Sequence, residues 1–247
     1  ASGATIGLAP TPVMMENANA AVSAGYRRLK MKIAPGVGFA TAEAIRRAFP
    51  NLLITLDANR SFTDDTFAEL KAYDGLNIGW IEEPFDVSGG SNAVRRDPLL
   101  KMQSMQPYMA TPVCADESYA NVAQAERVLQ FPDIRCISVK APKLGSIGET
   151  LRFIARAKMA GRVVWMGGMY DTGIARRVAA AFETLPDMVF PGDIGALSRF
   201  FDVDVTFPAY TVEGGLVRLN PTGFDYGIGC TLNEEALALV KVDQLVL

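Results

Sequence analysis

One local event recurs along this 247-residue chain: a short apolar run closes on a charged side chain, and a helix-like stretch follows. The closing residues are Lys32, Asp57, Glu82, Asp116 and Lys140, at intervals of 25, 25, 34 and 24 residues. Their runs read YRRLKMKI, NLLITLDAN, IGWIEEP, PVCADES and CISVKAPKL. Such a beat is one strand plus one helix, so it predicts a parallel sheet with right-handed crossovers. Seven or eight such units in about 200 residues suit a closed α/β barrel better than an open doubly wound sheet.

The charges are as informative as the period. An unpaired ion aimed out of a buried strand costs several kcal/mol. Two ammonium groups and three carboxylates meeting at one place would offset one another, above all around a metal. That arrangement marks the chain as an enzyme.

The helical stretches carry their own punctuation. VMMENANAAVSAG is expected to end at Gly25 as its C′ residue. Thr41 and Thr63 are candidate N-caps for TAEAIRRAF and TDDTFAELKAY. Ser146 and Glu149 stand in capping-box spacing at the head of a helix ending at Gly161. VVWMGGM reads as a seventh strand, TGIARRVAAAFETLP as its helix, and VFPGD as a weak eighth strand. The polar segment 86–98 accounts for the long interval and reads as a loop insertion on the active-site face. Beyond residue 205 the pattern changes: AYTVEGGLVRLNP reads as a short strand and TLNEEALALV as a final helix. The chain therefore divides into a barrel over residues 1–205 and an extension over residues 206–247.

Composition narrows the chemistry. A net charge of −3 gives no electrostatic reason to expect nucleic acid or an anionic membrane. The paired arginines (27–28, 46–47, 95–96, 176–177) are dispersed and read as solvated helix faces. Three cysteines without metal spacing favour a reducing, cytoplasmic compartment, and no apolar run is long enough to cross a bilayer. The chain contains no histidine, which removes Ser-His and Cys-His catalysis and the commonest zinc ligand. Proton transfer must use Lys, Asp, Glu, Tyr or Cys.

At the carboxyl ends of barrel strands, side chains converge on one mouth. Alternation puts Lys30 and Lys32 on one face, and Asp57 with Asn59 on one face. It separates Glu82 from Glu83 and Asp116 from Glu117 without choosing between them. Three inward carboxylates suit a hard divalent cation such as Mg²⁺, and flanking lysines could then take an α-proton from a bound carboxylate. The resulting enediolate would be stabilised by the metal and the second lysine.

These residues resemble a known family. Lys30-Met31-Lys32, Asp57-Ala58-Asn59, Ile81-Glu82-Glu83-Pro84, Asp116-Glu117-Ser118 and Lys140 are similar, in order, to the signature of the enolase superfamily, in its muconate-lactonizing-enzyme subgroup. Gly167 to Gly173 and Phe190 to Asp193 resemble its o-succinylbenzoate synthase and N-acylamino acid racemase branch. The resemblance implies a (β/α)7β TIM-like barrel. It implies Asp57, Glu82 and Asp116 as Mg²⁺ ligands, with Mn²⁺ as the alternative ion. It implies Lys32 and Lys140 as the acid/base pair and Lys30 beside the substrate carboxylate. Asn59 and Glu117 would support the ligands, and backbone at Gly168 and Met169 would line the pocket. Glu83, Lys143, Ser146 and Asp171 stand where the branch usually has Gln, Arg, Gly and Glu.

Family members also carry an N-terminal α+β capping domain of about a hundred residues, a size typical of a small domain. The sequence starts at the first barrel strand, so the cap is expected as a missing or separate piece against which residues 206–247 would pack. The activity implied is a Mg²⁺-dependent hydro-lyase acting on a small carboxylate, foremost an o-succinylbenzoate synthase of menaquinone synthesis. The alternatives are an N-acylamino acid racemase using the same two lysines, and a non-catalytic barrel serving as a binding or assembly subunit. A homo-oligomer is compatible with all three.

Overall fold

The computed structural model describes residues 1–89, 96–186, 188–219 and 227–240. The chain alternates β1 (Ala4–Ile6), α1 (Thr11–Ser23), β2 (Arg28–Lys32), α2 (Phe39–Ala48), β3 (Leu53–Asp57), α3 (Phe67–Ala72) and β4 (Ile81–Glu82). It continues through α4 (Pro98–Met105), β5 (Val113–Ala115), α5 (Val122–Val128), β6 (Cys136–Val139), a short α6 (Ala141–Leu144), α7 (Ile147–Met159), β7 (Val163–Met166) and α8 (Gly173–Phe182). Seven strands pair in parallel in sequence order, the α/β barrel that the 25-residue beat predicts.

Alternation along each strand divides the core in two. The outward residues, among them Leu29, Met31, Leu56, Ile81, Ile137 and Val164, pack with the helices in one large apolar cluster. The inward residues of the lower barrel form a separate one: Trp80, Cys114, Cys136 and Trp165, with Leu53 and Phe190 against them. Trp80 and Trp165 stack with centroids 5.4 Å apart, and the Arg28 guanidinium lies 4.5 Å from the Trp165 ring centre. Each inner face thus climbs from aromatic and thiol groups to ions at the carboxyl end.

The weak eighth strand forms no ladder. Residues 190–193 lie between β7 and β1, where Asp193 N donates to Met166 O at 2.8 Å and Gly3 N donates to Gly192 O at 2.8 Å. Ser2 and Gly192 form an isolated parallel bridge. Pro191 has no N–H to give, which limits the pairing. A side chain fills the gap: the Glu183 carboxylate accepts from Met166 N at 3.1 Å and from the Gly192 amide.

Helix ends settle the other expectations. Gly25 has φ 88° and follows α1 as foreseen, and Ser146 Oγ accepts from Glu149 N at 3.1 Å. Thr41 is not a cap: α2 starts after Gly38, and Thr41 is buried in its first turn, donating to Thr11 Oγ1 at 3.0 Å. Thr63 is not one either, since α3 starts only after Thr66. The segment 86–98 leads into α4, which the sequence reading missed; residues 90–95 lie outside the described ones. Its signal was Asp97-Pro98, an N-cap whose carboxylate accepts from Leu99 N followed by proline in the first turn. Segment 209–219 holds no strand but a turn closed by the Glu213–Leu216 bridge, and 220–221 lie outside the described residues. The strands of this region are β8 (Thr206–Phe207) and β9 (Thr231–Leu232), an antiparallel pair followed by α9 (Glu234–Val240). No helix among the described residues is long and apolar enough to cross a membrane.

Burial pushes the Glu183 carboxyl up from 4.5 to about 7, although Met166 N, Arg28 and Gly192 N favour its charged form. Because the folded value is the higher one, the charged form is penalised in the fold. Stability is expected to fall as pH rises from about 4.5 to about 7, by an amount on the order of 3 kcal/mol. Glu183→Gln keeps an acceptor for the two amides and should flatten that slope in urea melts taken across this range; an unchanged slope would show that Glu183 is not its source.

Candidate active site

β2 presents Arg28, Lys30 and Lys32 to the barrel interior, one above the other. Register then sets their neighbours, pairing Lys30 with Thr55, Lys32 with Asp57, Asp57 with Glu82, and Glu82 with Cys114. Lys32 Nζ donates to Asp57 Oδ2 at 2.7 Å and to Asn59 Oδ1, and Asn59 Nδ2 donates to Glu117 Oε1 at 2.8 Å. Lys30 Nζ lies 3.3 Å from both Asp57 Oδ2 and Glu82 Oε2 and is paired to Asp193. On the far side Lys140 Nζ donates to Asp116 Oδ2 at 2.7 Å, while Lys143 Nζ donates to Asp116 O at 2.7 Å and Oδ1 at 3.0 Å. β2 and β6 are four strands apart in the sheet order, so Lys32 and Lys140 face each other across the mouth.

The two ambiguities of the sequence resolve by strand phase. Glu82 and Asp116 turn inward and are buried. Glu83, at φ 36°, turns away and braces the loops: its Oε1 accepts from Asp116 N at 2.9 Å and Ser118 N at 2.6 Å, and Arg60 Nε donates to its Oε2 at 3.0 Å. An amide could accept the same two N–H groups, but the Arg60 pair suits a carboxylate. Gly168 and Met169 line a cavity of about 310 Å³ together with Lys30 and Lys32. A larger groove of about 510 Å³ between the first three helices contains none of this set.

The structure brings lysine–carboxylate pairs together rather than three carboxylates at a point. Among the described residues no three His, Cys, Asp or Glu side chains converge closely enough to hold an ion by themselves. Two of the lysines, Lys30 and Lys140, are correspondingly raised. Burial lowers Lys30, but Asp193, Glu82 and Asp57 together hold it well above the usual lysine range; Lys140 is likewise raised, burial being outweighed by Asp116. Burial drives Glu82 well above the carboxylate range, with Lys30 opposing. One ammonium serves three acids here, Asp193 takes it most closely, and Glu82 Oε1 is buried with no hydrogen-bond partner. A hard oxygen donor without a partner, flanked by Asp57 and Asp116, fits a divalent cation that would replace a proton.

Two participants escaped the sequence reading. Asp193 binds both Arg28 and Lys30, which hold it far below the usual carboxylate range despite burial. Arg28 is not a solvated helix residue but a fully buried strand residue, and Arg176 and Arg177 of α8 are buried too. Arg28 stands in the same period-two phase as Lys30 and Lys32, a signal that was present. Arg176 donates to Met169 O at 2.7 Å and to Asp193 O, tying the β7 loop to the closing segment.

A Cβ on Gly167 would overlap Ser138 Oγ and stand 2.8 Å from Lys140 Cε, so the glycine makes room for the Lys140 side chain. Gly167→Ala should cost about 1–3 kcal/mol through overpacking. Ser138→Ala in the same chain should recover part of that cost, as the coupling term of a double-mutant cycle in urea. Strict additivity would show that the two sites do not meet.

The sequence model described as "Enolase C-terminal domain-like" matches residues 13–236. The chain is 35% identical over 204 residues to the N-succinylamino acid racemase of Thermus thermophilus, covering 83% of this chain and 53% of that protein. It is 30% identical over 236 residues to the o-succinylbenzoate synthase of Bacillus subtilis, covering 96% and 60%. A solved enolase-superfamily member from Listeria innocua superposes with a TM-score of 0.85 at 30% identity, over 96% of this chain and 61% of that one. The chain therefore spans between half and two thirds of the length of these relatives.

Proposed function

Because the chain belongs to the family of enolase C-terminal domains, we propose that its barrel serves α-proton abstraction from a small carboxylate substrate. The observation that carries this reading is the pair of lysines on opposite sides of the mouth, each held by its own carboxylate. Asp57, Glu82 and Asp116 would hold Mg²⁺, with Mn²⁺ as its substitute, and Asn59 and Glu117 would orient them. When bound, that ion supplies electrostatic stabilisation of a substrate carboxylate.

The protein's own groups do the rest. Lys32 takes the α-proton, which requires its neutral form, so Asp57 must give up the ammonium it holds at 2.7 Å. Lys140, opposite, stabilises the enediolate charge, and Lys30 sits beside the carboxylate end of the cavity. In a synthase Lys32 then returns the proton to the departing hydroxyl, giving an o-succinylbenzoate. This dehydratase reading leads, and the 30% identity to the o-succinylbenzoate synthase of Bacillus subtilis supports it. In a racemase Lys140 would instead return a proton from the other face, and the 35% identity to the Thermus protein favours keeping this second reading. A barrel without turnover is the third.

Lys32→Ala and Lys140→Ala should each lower α-proton exchange, followed by NMR in D₂O, about 10²- to 10⁴-fold while far-UV circular dichroism stays unchanged. Substantial exchange in either variant would refute the assigned roles. Mg²⁺ binding by calorimetry should weaken as pH falls, because burial raises the Glu82 carboxyl and a proton there competes with the ion. Absence of binding in the millimolar range would leave only the non-catalytic reading.

A further inference from the structure

The groove of about 510 Å³ between the first three helices lies apart from the lysine cluster and within the size range of small-molecule sites. Its walls are mainly apolar, with Val37, Phe39 and Phe62 the largest hydrocarbon groups. Val37 and Phe39 are left open to solvent, and Phe39 meets the Tyr73 ring edge to face with centroids 5.3 Å apart.

Two helix starts open into this groove. α1 begins after Pro10 and α2 after Gly38, and neither has a side-chain cap. Thr41 Oγ1 donates to Thr11 Oγ1 at 3.0 Å and ties the two starts together. The α2 ladder begins with Ala42 N donating to Gly38 O at 2.8 Å, so the N–H groups of Phe39, Ala40 and Thr41 have no acceptor among the described residues. Orphan amides at the positive end of a helix suit a carboxylate.

A side chain from another element points to the same ligand group. Tyr73 is only 2% exposed, yet it lines the groove and its hydroxyl has no hydrogen-bond partner among the described residues. That hydroxyl stands at the α2 start, since a Cβ on Gly38 would lie 3.2 Å from it. Burial, and then Glu69, push the phenol up, so it remains a donor. A buried hydroxyl without an acceptor is costly, and a ligand oxygen would remove that cost.

The charges then narrow the ligand. Among the described lining residues there is no Lys or Arg, and the charged one is Glu69. It stands four residues before Tyr73, one turn away on the same side, and its Oε2 accepts from Gly36 N at 2.6 Å. A dianion such as phosphate would meet no cation here, and a bare carboxylate would be opposed by Glu69. A carboxylate with an ammonium beside it satisfies both ends of the groove.

We propose that this groove binds a small zwitterion with a hydrocarbon body, of which an apolar α-amino acid is the simplest. Its carboxylate accepts from the α2 amides and the Tyr73 hydroxyl, its ammonium pairs with Glu69, and its hydrocarbon covers Phe39 and Phe62. The site is independent of the α-proton reading.

The probes are L-phenylalanine, phenylpropanoate (the same body without the amine) and phenethylamine (without the carboxylate). Each is titrated onto the isotope-labelled 247-residue chain without Mg²⁺ and followed by amide NMR. Phenylalanine is expected to bind in the millimolar range or tighter, about threefold or more above either analogue, with the largest shifts at Phe39, Ala40 and Thr41. Tyr73→Phe should weaken it about three- to tenfold while the urea midpoint stays unchanged, because that hydroxyl holds nothing in the free protein. Glu69→Gln, which keeps an acceptor for Gly36, should weaken phenylalanine about threefold and leave phenylpropanoate as tight or tighter. Equal or tighter phenylpropanoate binding to the unaltered chain, shifts centred on Lys30 and Lys32, undiminished binding in either variant, or no binding in the millimolar range would overturn the proposal.

Discussion

The ion triad Arg28–Asp193–Lys30 is what permits three cations to be stacked on the inside of a single strand. Arg28 is fully buried against two tryptophans, Lys30 is nearly so, and either would be an uncompensated buried charge without Asp193. Breaking such a pair costs about 3–5 kcal/mol, far more than a surface pair. Among the described residues, Asp193 sits on the segment of the ring that lacks a strand ladder. The electrostatics of the mouth and the closure of the barrel therefore depend on the same carboxylate.

That dependence bears on the candidate chemistry. By holding Lys30 closely, Asp193 leaves Glu82 without a full counter-charge, and Glu82 Oε1 without a partner. A buried acid in that position is suited to exchanging a proton for a cation. Lys32 and Lys140 are differently placed, each on the outer side of its carboxylate and more open to the mouth than Lys30. The ion-paired Lys30 and the two lysines proposed to move protons are thus separated by depth within one barrel.

Much of this was legible in the sequence, for a physical reason. Period two along YRRLKMKI and CISVKAPKL fixes which residues face inward, and the 25-residue beat fixes a parallel sheet, so the lysines and carboxylates converge by geometry alone. The same rule applied one step further would have placed Arg28 inside. Three things were not legible. The choice between Glu82 and Glu83 depends on the phase β4 takes in the ladder, where Glu82 pairs with Asp57 and Cys114, and alternation alone leaves that phase open. The role of Asp193 depends on a contact 165 residues away in the chain. Thr41 and Thr63 look like caps because threonine caps helices in general, and only the packing of α2 and α3 decides otherwise.

A barrel sealed on one side by a carboxylate and a few backbone bonds has a seam. Everywhere else around the ring, opening means breaking a ladder between neighbours; between β7 and β1 it means releasing Glu183 from two amides and Asp193 from Met166. Local opening free energies follow such differences. The ring should therefore breathe there first, with the amides of Met166 and Gly192 exchanging with solvent sooner than those buried between β2 and β3. Because Lys30 is anchored across that seam, each such opening would also loosen the floor of the lysine cluster.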